Sequence, residues 1–156
     1  MVARVSRPYL GWLAVVWVFS VISLGLVGRL IAKGTIWYGE ARPVTIENTF
    51  AMSWGTFFTT ILLIGSAVAP EFFLFGAALN FVLLFLGFLL SVVGLGSITG
   101  IINQFGYSGE MTSLWKAYLG IGWCQTFFIF FAALWAGYHY VTGQATPVKE
   151  HKEEHF

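Results

Sequence analysis

The chain has 156 residues, of which 58% are hydrophobic and only 10% are charged, and its net charge is +1. A soluble domain carries about 25% charged residues, and the acidic residues here are all glutamates between or beyond long apolar runs. This composition excludes a soluble globular fold, and the balanced charge gives no sign of nucleic-acid binding. The sequence therefore predicts an integral membrane protein.

Four apolar segments are long enough to cross a hydrocarbon core of about 30 Å as helices that rise about 1.5 Å per residue. They cover about residues 9–32, 50–69, 72–95 and 114–141. The first is interpreted as a membrane helix of the mature protein, because it is too long and too basic at its far end for a cleavable signal. Pro70 and Glu71 separate the second and third segments so closely that these two must form a hairpin. The predicted fold is an all-α integral membrane protein, an antiparallel four-helix transmembrane bundle.

The division of the chain follows from these segments. Residues 1–8 form a short N-terminal segment, residues 9–141 the four-span membrane domain, and residues 142–156 a polar tail that is expected to be mobile. Basic residues are equally numerous on the two sides: Arg4, Arg7, Lys149 and Lys152 at the termini, against Arg29, Lys33, Arg42 and Lys116 in the two opposite loops. The positive-inside rule therefore does not orient the protein.

The third segment has one face of small or polar residues, a small-residue stripe made of Ala77, Gly87, Ser91 and Gly94. Asn80 and Leu84 share this face, and phenylalanines such as Phe85 occupy the opposite one. Small residues let helix backbones approach closely in lipid, where packing and hydrogen bonds drive association. The stripe is therefore predicted to face another helix.

Four polar side chains from four segments are predicted to share one depth, here called the polar level: Asn80, Gln125, Thr60 and Ser20. By helical rise, Asn80 lies about 12 Å from one surface, Gln125 about 14 Å from the other, and Ser20 and Thr60 near 15 Å. An amide without a partner in an apolar interior costs roughly two to seven kcal/mol. We expect Asn80 and Gln125 to approach each other, directly or through Thr60 or Ser20, and to hold helices together. The alternative is a ligand or ion path through this level.

No catalytic, cofactor or metal site is predicted. His139 lies between two tyrosines at the end of the fourth segment, where an interfacial aromatic belt is expected, and a functional role is the alternative. His151 and His155 in the tail could share a metal ion, but the neighbouring glutamates favour a solvated end. Cys124 has no evident base beside it, and no acid lies deep within a segment. The sequence does not indicate an enzyme.

The arrangement resembles the MARVEL-domain family, and within it the fungal non-classical-export type of four-span proteins. The resemblance covers about residues 8–140 and is carried by the third segment, ALNFVLLFLGFLLSVVGL, after a very short second connection. A fourth segment that begins near Lys116 and is rich in Ala, Phe and Trp fits the same pattern. The chain lacks a cysteine pair in the third connection, so a disulfide-stabilised loop like that of some relatives is not expected.

The resemblance implies a non-enzymatic protein of membrane apposition, lipid domains or vesicle traffic, in a plasma or vesicle membrane with both termini cytosolic. The leading hypothesis is a protein that organises membrane domains by packing with itself, with lipids or with other membrane proteins. A small accessory subunit of a larger respiratory or transport complex is the alternative. A lipid-modifying or quinone-handling enzyme is a third hypothesis, and loss of an activity on changing His139 would favour it.

Overall fold

The computed structural model describes residues 7–32, 41–68, 76–105 and 110–142, with side chains for 7–32, 45–68, 76–102 and 113–142. Its helices are α1 (Arg7–Ala32), α2 (Ala41–Val68), α3 (Ala77–Phe105) and α4 (Glu110–Thr142). Each of the four contains a stretch that is long and apolar enough to cross a membrane. Over the described ranges, the prediction of an all-helical protein with four candidate membrane spans is confirmed.

The helices form a four-membered ring in chain order. α1 packs against α2 and α4, and α3 packs against the same two helices, so that α1 faces α3 and α2 faces α4 across the diagonals. Tyr9, near the start of α1, contacts Trp135, near the end of α4, with ring centroids 6.1 Å apart. The first and last described residues therefore lie at one end of the bundle, here called the terminal end, and the opposite end is the loop end.

α2 and α3 extend beyond the spans predicted from apolar length. α2 begins at Ala41, ahead of the span predicted from about residue 50, and α3 occupies Ala77–Phe105 and ends after the span predicted for about residues 72–95, whose first residues lie outside the described part of the chain. The start of α2 is polar, yet Pro43 lies in its first turn, where a helix needs no N–H from that residue. α3 has 29 residues and is about 44 Å long, so it extends past a hydrocarbon core of about 30 Å. Hydropathy located the apolar parts of these helices and missed their polar or Gly-rich ends.

Several predictions concern segments outside the described residues. The tight connection at Pro70 and Glu71, most of the polar tail and the first six residues of the N-terminal segment belong to this group. Arg7 and Pro8, which were assigned to the N-terminal segment, begin α1.

The buried apolar residues form two clusters, one toward each end of the bundle. The terminal-end cluster contains Tyr9, Leu13, Val16, Leu62, Leu84, Ile129, Ala132, Ala133 and Ala136. The loop-end cluster contains Val27, Leu30, Met52, Leu95, Ile98, Trp115 and Tyr118. Large apolar side chains such as Phe57, Val93 and Phe127 also cover the outside of the bundle. An apolar exterior around a packed interior is the arrangement expected of helices surrounded by lipid.

The small-residue stripe of α3 faces the interior. Ala77, Gly87, Ser91 and Gly94 are all buried, as are Asn80 and Leu84 on the same face, whereas Phe85 on the opposite face is 39% exposed. Gly122 of α4 serves the same purpose from the other side, because a Cβ atom there would lie 2.7 Å from Cδ2 of Leu95. The missing side chain at Gly122 thus lets α4 approach α3 closely, whereas Gly87 and Gly94 of the stripe lie next to Trp54 and Asn48 of α2.

Candidate functional site

The terminal end contains a hydrogen bond across the α1–α3 diagonal. The hydroxyl group of Tyr9 donates to Oδ1 of Asn80 at 3.1 Å, and both side chains are fully buried. Nδ2 of Asn80 donates to the carbonyl oxygen of Gly76, just before α3, at 3.1 Å. Both ends of this amide therefore have a hydrogen-bond partner, and the side chain joins two helices that face each other across the ring.

The loop end contains a second bond of the same kind, across the α2–α4 diagonal. The hydroxyl group of Tyr118 donates to Oδ1 of Asn48 at 2.8 Å, and Nδ2 of Asn48 donates to the carbonyl oxygen of Gly94 at 2.7 Å. A Cβ atom at Gly94 would lie 3.0 to 3.1 Å from the amide atoms of Asn48. Glycine at this position therefore gives the amide access to the α3 backbone, and Asn48 connects α2, α3 and α4.

A third polar contact lies between the two ends. Nε2 of Gln125 donates to Oγ of Ser20 at 3.0 Å, and Ser20 in turn donates to the carbonyl oxygen of Val16 at 2.9 Å. A Cβ atom at Gly55 of α2 would lie 3.1 Å from Nε2 of Gln125, so this glycine makes room for the amide. Oε1 of Gln125 is buried and accepts no hydrogen bond from the described part of the chain.

The expected single polar level is corrected by these contacts. Ser20 and Gln125 come together, but Asn80 bonds to Tyr9, which precedes Ser20 by three helical turns, or about 16 Å. Thr60 belongs to a separate α1–α2 contact, in which it accepts a hydrogen bond from Nε1 of Trp17 at 2.8 Å. Asn80 lies within the first turn of α3, which begins at Ala77, and is therefore nearer the terminal end than the Ser20–Gln125 contact.

Sequence reasoning missed the most connected residue, Asn48, because it assigned this residue to the first connection. A signal was present, since Asn48 extends the buried row of Ala51, Gly55 and Thr59 back by one turn. Tyr9 was recognised only as the first residue of a span, and its depth gave no indication of a partner on the diagonal helix. At each end, the hydroxyl group of a tyrosine is the hydrogen-bond partner of a buried asparagine, and neither partner was identified from the sequence.

His139 and Cys124, the other candidates for chemistry within the described residues, lie apart from these contacts. His139 accepts a hydrogen bond from Nε1 of Trp135 at 2.7 Å, and Cys124 is exposed on the outside of α4. Within the described residues, no group of three His, Cys, Asp or Glu side chains could hold a metal ion. His151 and His155 lie outside the described part of the chain. The buried polar groups that do meet are neutral amides and hydroxyls, and the chemistry they perform is hydrogen bonding between helices.

Comparison with known proteins identified no relative of this chain. No protein-family model matches the chain, and no curated protein or solved structure matches it. The resemblance to MARVEL-domain proteins therefore stays a prediction, and the function is inferred from the bundle itself.

Proposed function

We propose that this chain is a non-enzymatic four-span membrane protein that organises membrane domains or assemblies by packing with itself, with lipids or with other membrane proteins. One observation carries the proposal: the buried amides of Asn48, Asn80 and Gln125 each bond to a residue on another helix. These amides, which would otherwise be candidates for ligand binding, thus form hydrogen bonds between helices. Each such bond stabilises a membrane bundle by about half to two kcal/mol.

The outside of the bundle supports contacts with lipids and with other helices. Broad apolar side chains cover most of it, but Gly96 and Gly100 of α3 also face outward, and a Cβ atom at either would meet nothing within 4 Å. Two glycines four residues apart on an apolar helix allow a second helix to approach closely. The partners in this proposal are membrane lipids together with another copy of the chain or another membrane protein.

The proposal includes a MARVEL-like architecture in a plasma or vesicle membrane, with both termini cytosolic. It is supported by the Asn-containing third span and by the common position of Arg7 and Thr142 at the terminal end. Tags at Met1 and Phe156 should be equally protected from protease in sealed, right-side-out vesicles. Digestion at one end only would rule out an even number of spans.

The accessory-subunit alternative differs in what purifies with the chain. Gentle detergent extraction of the tagged full chain, followed by mass spectrometry of the intact assembly, separates the two. We expect copies of this chain with bound lipid, whereas a fixed stoichiometry of other subunits would favour the alternative. An enzyme would instead show an activity that is lost on changing His139.

A pair of matched variants sharpens this experiment. Gly96→Leu fills the open position on α3, whereas Gly120→Leu fills an equally open position on α4. If α3 contacts a neighbouring molecule, Gly96→Leu should shift the assembly toward single chains and Gly120→Leu should not. An unchanged assembly in both variants would contradict a contact through this face of α3.

A further inference from the structure

A layer of small and polar side chains separates the two apolar clusters in the middle of the bundle. On α1, for example, two serines lie between Val16 of the terminal-end cluster and Val27 of the loop-end cluster. We call this the middle layer, and its residues, all buried, are Ser20, Ser23, Ala51, Gly55, Ser91 and Gln125. None of them belongs to either apolar cluster. The interior here is therefore less apolar, and less crowded by large side chains, than on either side.

Two serines of the middle layer lie at nearly the same depth. Ser20 is beside Gly55 of α2, and Gly94 is beside the residue seven positions earlier on that helix, so Ser20 and Gly94 differ in depth by about 10.5 Å. Ser23 comes three residues after Ser20, and Ser91 comes three residues before Gly94, so each lies about 4.5 Å within this interval. Ser23 and Ser91 therefore differ in depth by only about 1.5 Å and face the interior from helices that lie opposite each other.

Three polar atoms of the middle layer have no hydrogen-bond partner within the described residues: Oγ of Ser23, Oγ of Ser91 and Oε1 of Gln125. All three residues are at most 1% exposed. Two other serines, Ser20 and Ser97, donate to the carbonyl oxygen four residues earlier in their own helices. The hydroxyl groups of Ser23 and Ser91 make no such bond, so they remain available to a partner in the interior.

A water molecule meets the hydrogen-bonding needs of these three atoms. The amide oxygen of Gln125 can only accept, whereas the hydroxyl groups of Ser23 and Ser91 can both donate and accept. One water molecule can donate to the amide oxygen and to one serine while it accepts from the other. Buried waters in proteins typically make about three hydrogen bonds to polar groups that would otherwise be unpaired. The number and the kinds of group in the middle layer therefore match a single water.

A metal cation fits the same groups less well. It would bind the three oxygen atoms but would give the hydroxyl hydrogens of Ser23 and Ser91 no acceptor. No residue of the middle layer carries a charge that would offset the cost of burying a cation in an apolar interior. The groups therefore favour a neutral ligand that both donates and accepts.

We propose that one water molecule is bound in the middle layer, where it donates to Oε1 of Gln125 and bridges the hydroxyl groups of Ser23 and Ser91. The water connects α1, α3 and α4 at a depth between the two tyrosine–asparagine pairs. It supplies a second connection across the α1–α3 diagonal, made through short side chains. This inference goes beyond the proposed function, because it concerns the interior of the bundle whatever surrounds the chain.

The test uses the full chain with isotope-labelled asparagine and glutamine in phosphatidylcholine proteoliposomes. Solid-state NMR measures how fast magnetisation passes from water protons to each side-chain amide, and the signal lost in Gln125→Met is that of Gln125. Transfer to Gln125 should be at least about threefold faster than transfer to Asn80, which is equally buried and has both ends of its amide bonded to protein atoms. Equal rates for these two amides would overturn the proposal.

Two matched double variants make the result specific to the serines. Ser23→Ala combined with Ser91→Ala removes two of the three partners of the water, whereas Ser53→Ala combined with Ser97→Ala changes two serines that are not buried. Alanine is smaller than serine and favours helices, so both double variants should fold. Transfer to Gln125 should fall about threefold in the first double variant and stay unchanged in the second. Equal transfer in the two would contradict a water held by Ser23 and Ser91.

A change of buffer separates water from a cation. Replacing sodium and potassium by N-methylglucamine should leave the amide signal of Gln125 and its rate of transfer from water unchanged. A signal that moves when the metal ion is removed would assign the site to a cation and overturn the proposal.

Discussion

The two ends of the bundle use the same pair of side chains and connect different numbers of helices. At the terminal end Tyr9 bonds to Asn80, and at the loop end Tyr118 bonds to Asn48, each across a diagonal. The amide nitrogen of Asn80 returns to Gly76, immediately before its own helix, whereas that of Asn48 reaches Gly94 on a neighbouring helix. The terminal-end pair therefore joins two helices and the loop-end pair joins three.

The two amides are chemically alike and differ in where the second hydrogen bond goes. For Asn48 that bond reaches the backbone of a neighbouring helix. The absence of a side chain at Gly94 leaves room for Asn48 there. We therefore expect the loop end to be the more sensitive of the two regions.

The largest effect is expected for Asn48→Leu. This change removes two bonds between helices, leaves the buried hydroxyl group of Tyr118 without this acceptor, and forces a branched side chain against Gly94. Stability should fall by about 3 kcal/mol, measured by unfolding in mixed detergent. Combining it with Tyr118→Phe should recover part of this loss, because the hydroxyl group is then no longer buried without a partner.

Asn80→Leu should cost less, about 1.5 kcal/mol in the same assay. It removes only one hydrogen bond between helices, the one from Tyr9. The carbonyl oxygen of Gly76 also loses the side-chain amide, but it still accepts a hydrogen bond from the backbone N–H of residue 80 at 3.2 Å. Tyr9→Phe removes the same interhelical bond from the other side and should produce a similar or smaller loss. A larger loss for Asn80→Leu than for Asn48→Leu would reverse the proposed order of the two ends.

The role of Gly94 can be tested against a glycine that lies outside the proposed contact face of α3. In Gly94→Ala the new methyl group meets the amide of Asn48 at 3.0 to 3.1 Å, whereas in Gly120→Ala it meets nothing within 4 Å. Both variants gain similar helix propensity, so their difference isolates the contact with Asn48. Gly94→Ala should be less stable than Gly120→Ala by about 1 kcal/mol. Equal stability would mean that Asn48 keeps its bond at a greater helix separation.

The smallest effect concerns Asn80 and Gln125. Because these residues belong to separate contacts, Asn80→Leu and Gln125→Leu should add to within about 0.3 to 0.5 kcal/mol in a double-mutant cycle. The cycle of Asn80→Leu with Tyr9→Phe should instead show coupling of about half to 1.7 kcal/mol. Coupling in the first cycle and additivity in the second would restore the expected single polar level.

The four helices and their inward faces could be predicted because both follow from local patterns. Apolar length indicates a span, and the spacing of Ala77, Gly87, Ser91 and Gly94 places them on one face, whatever the neighbouring helix is. The meeting of Ser20 and Gln125 also agrees with the depth estimate. Both residues lie near the middle of long apolar runs, where an error of a few residues in a boundary matters little.

The partners of Asn80 and the role of Asn48 could not be predicted in this way. Both residues lie near helix ends, where hydropathy places the boundary least accurately, and a shift of five residues changes the depth by about 7.5 Å. Depth also does not reveal which helices face each other across a diagonal. Tyr9 and Tyr118 meet their asparagine partners because the ring order places α1 opposite α3 and α2 opposite α4, and this order is a property of the folded bundle.

The positions of the two tyrosine–asparagine pairs along the chain determine how much of the protein must be synthesised before each pair is complete. Tyr9 and Asn80 are both present once α3 has been made, so the terminal-end bond can form on a nascent chain that still lacks α4. Asn48 is made earlier than Asn80, yet its partner Tyr118 arrives only with the last helix. Until then the acceptor oxygen of Asn48 lacks the hydroxyl group that meets it in the finished bundle. A chain that stops before α4 therefore lacks the hydrogen bond that joins α2 to α4 across the diagonal, whereas the bond that joins α1 to α3 is already available to it.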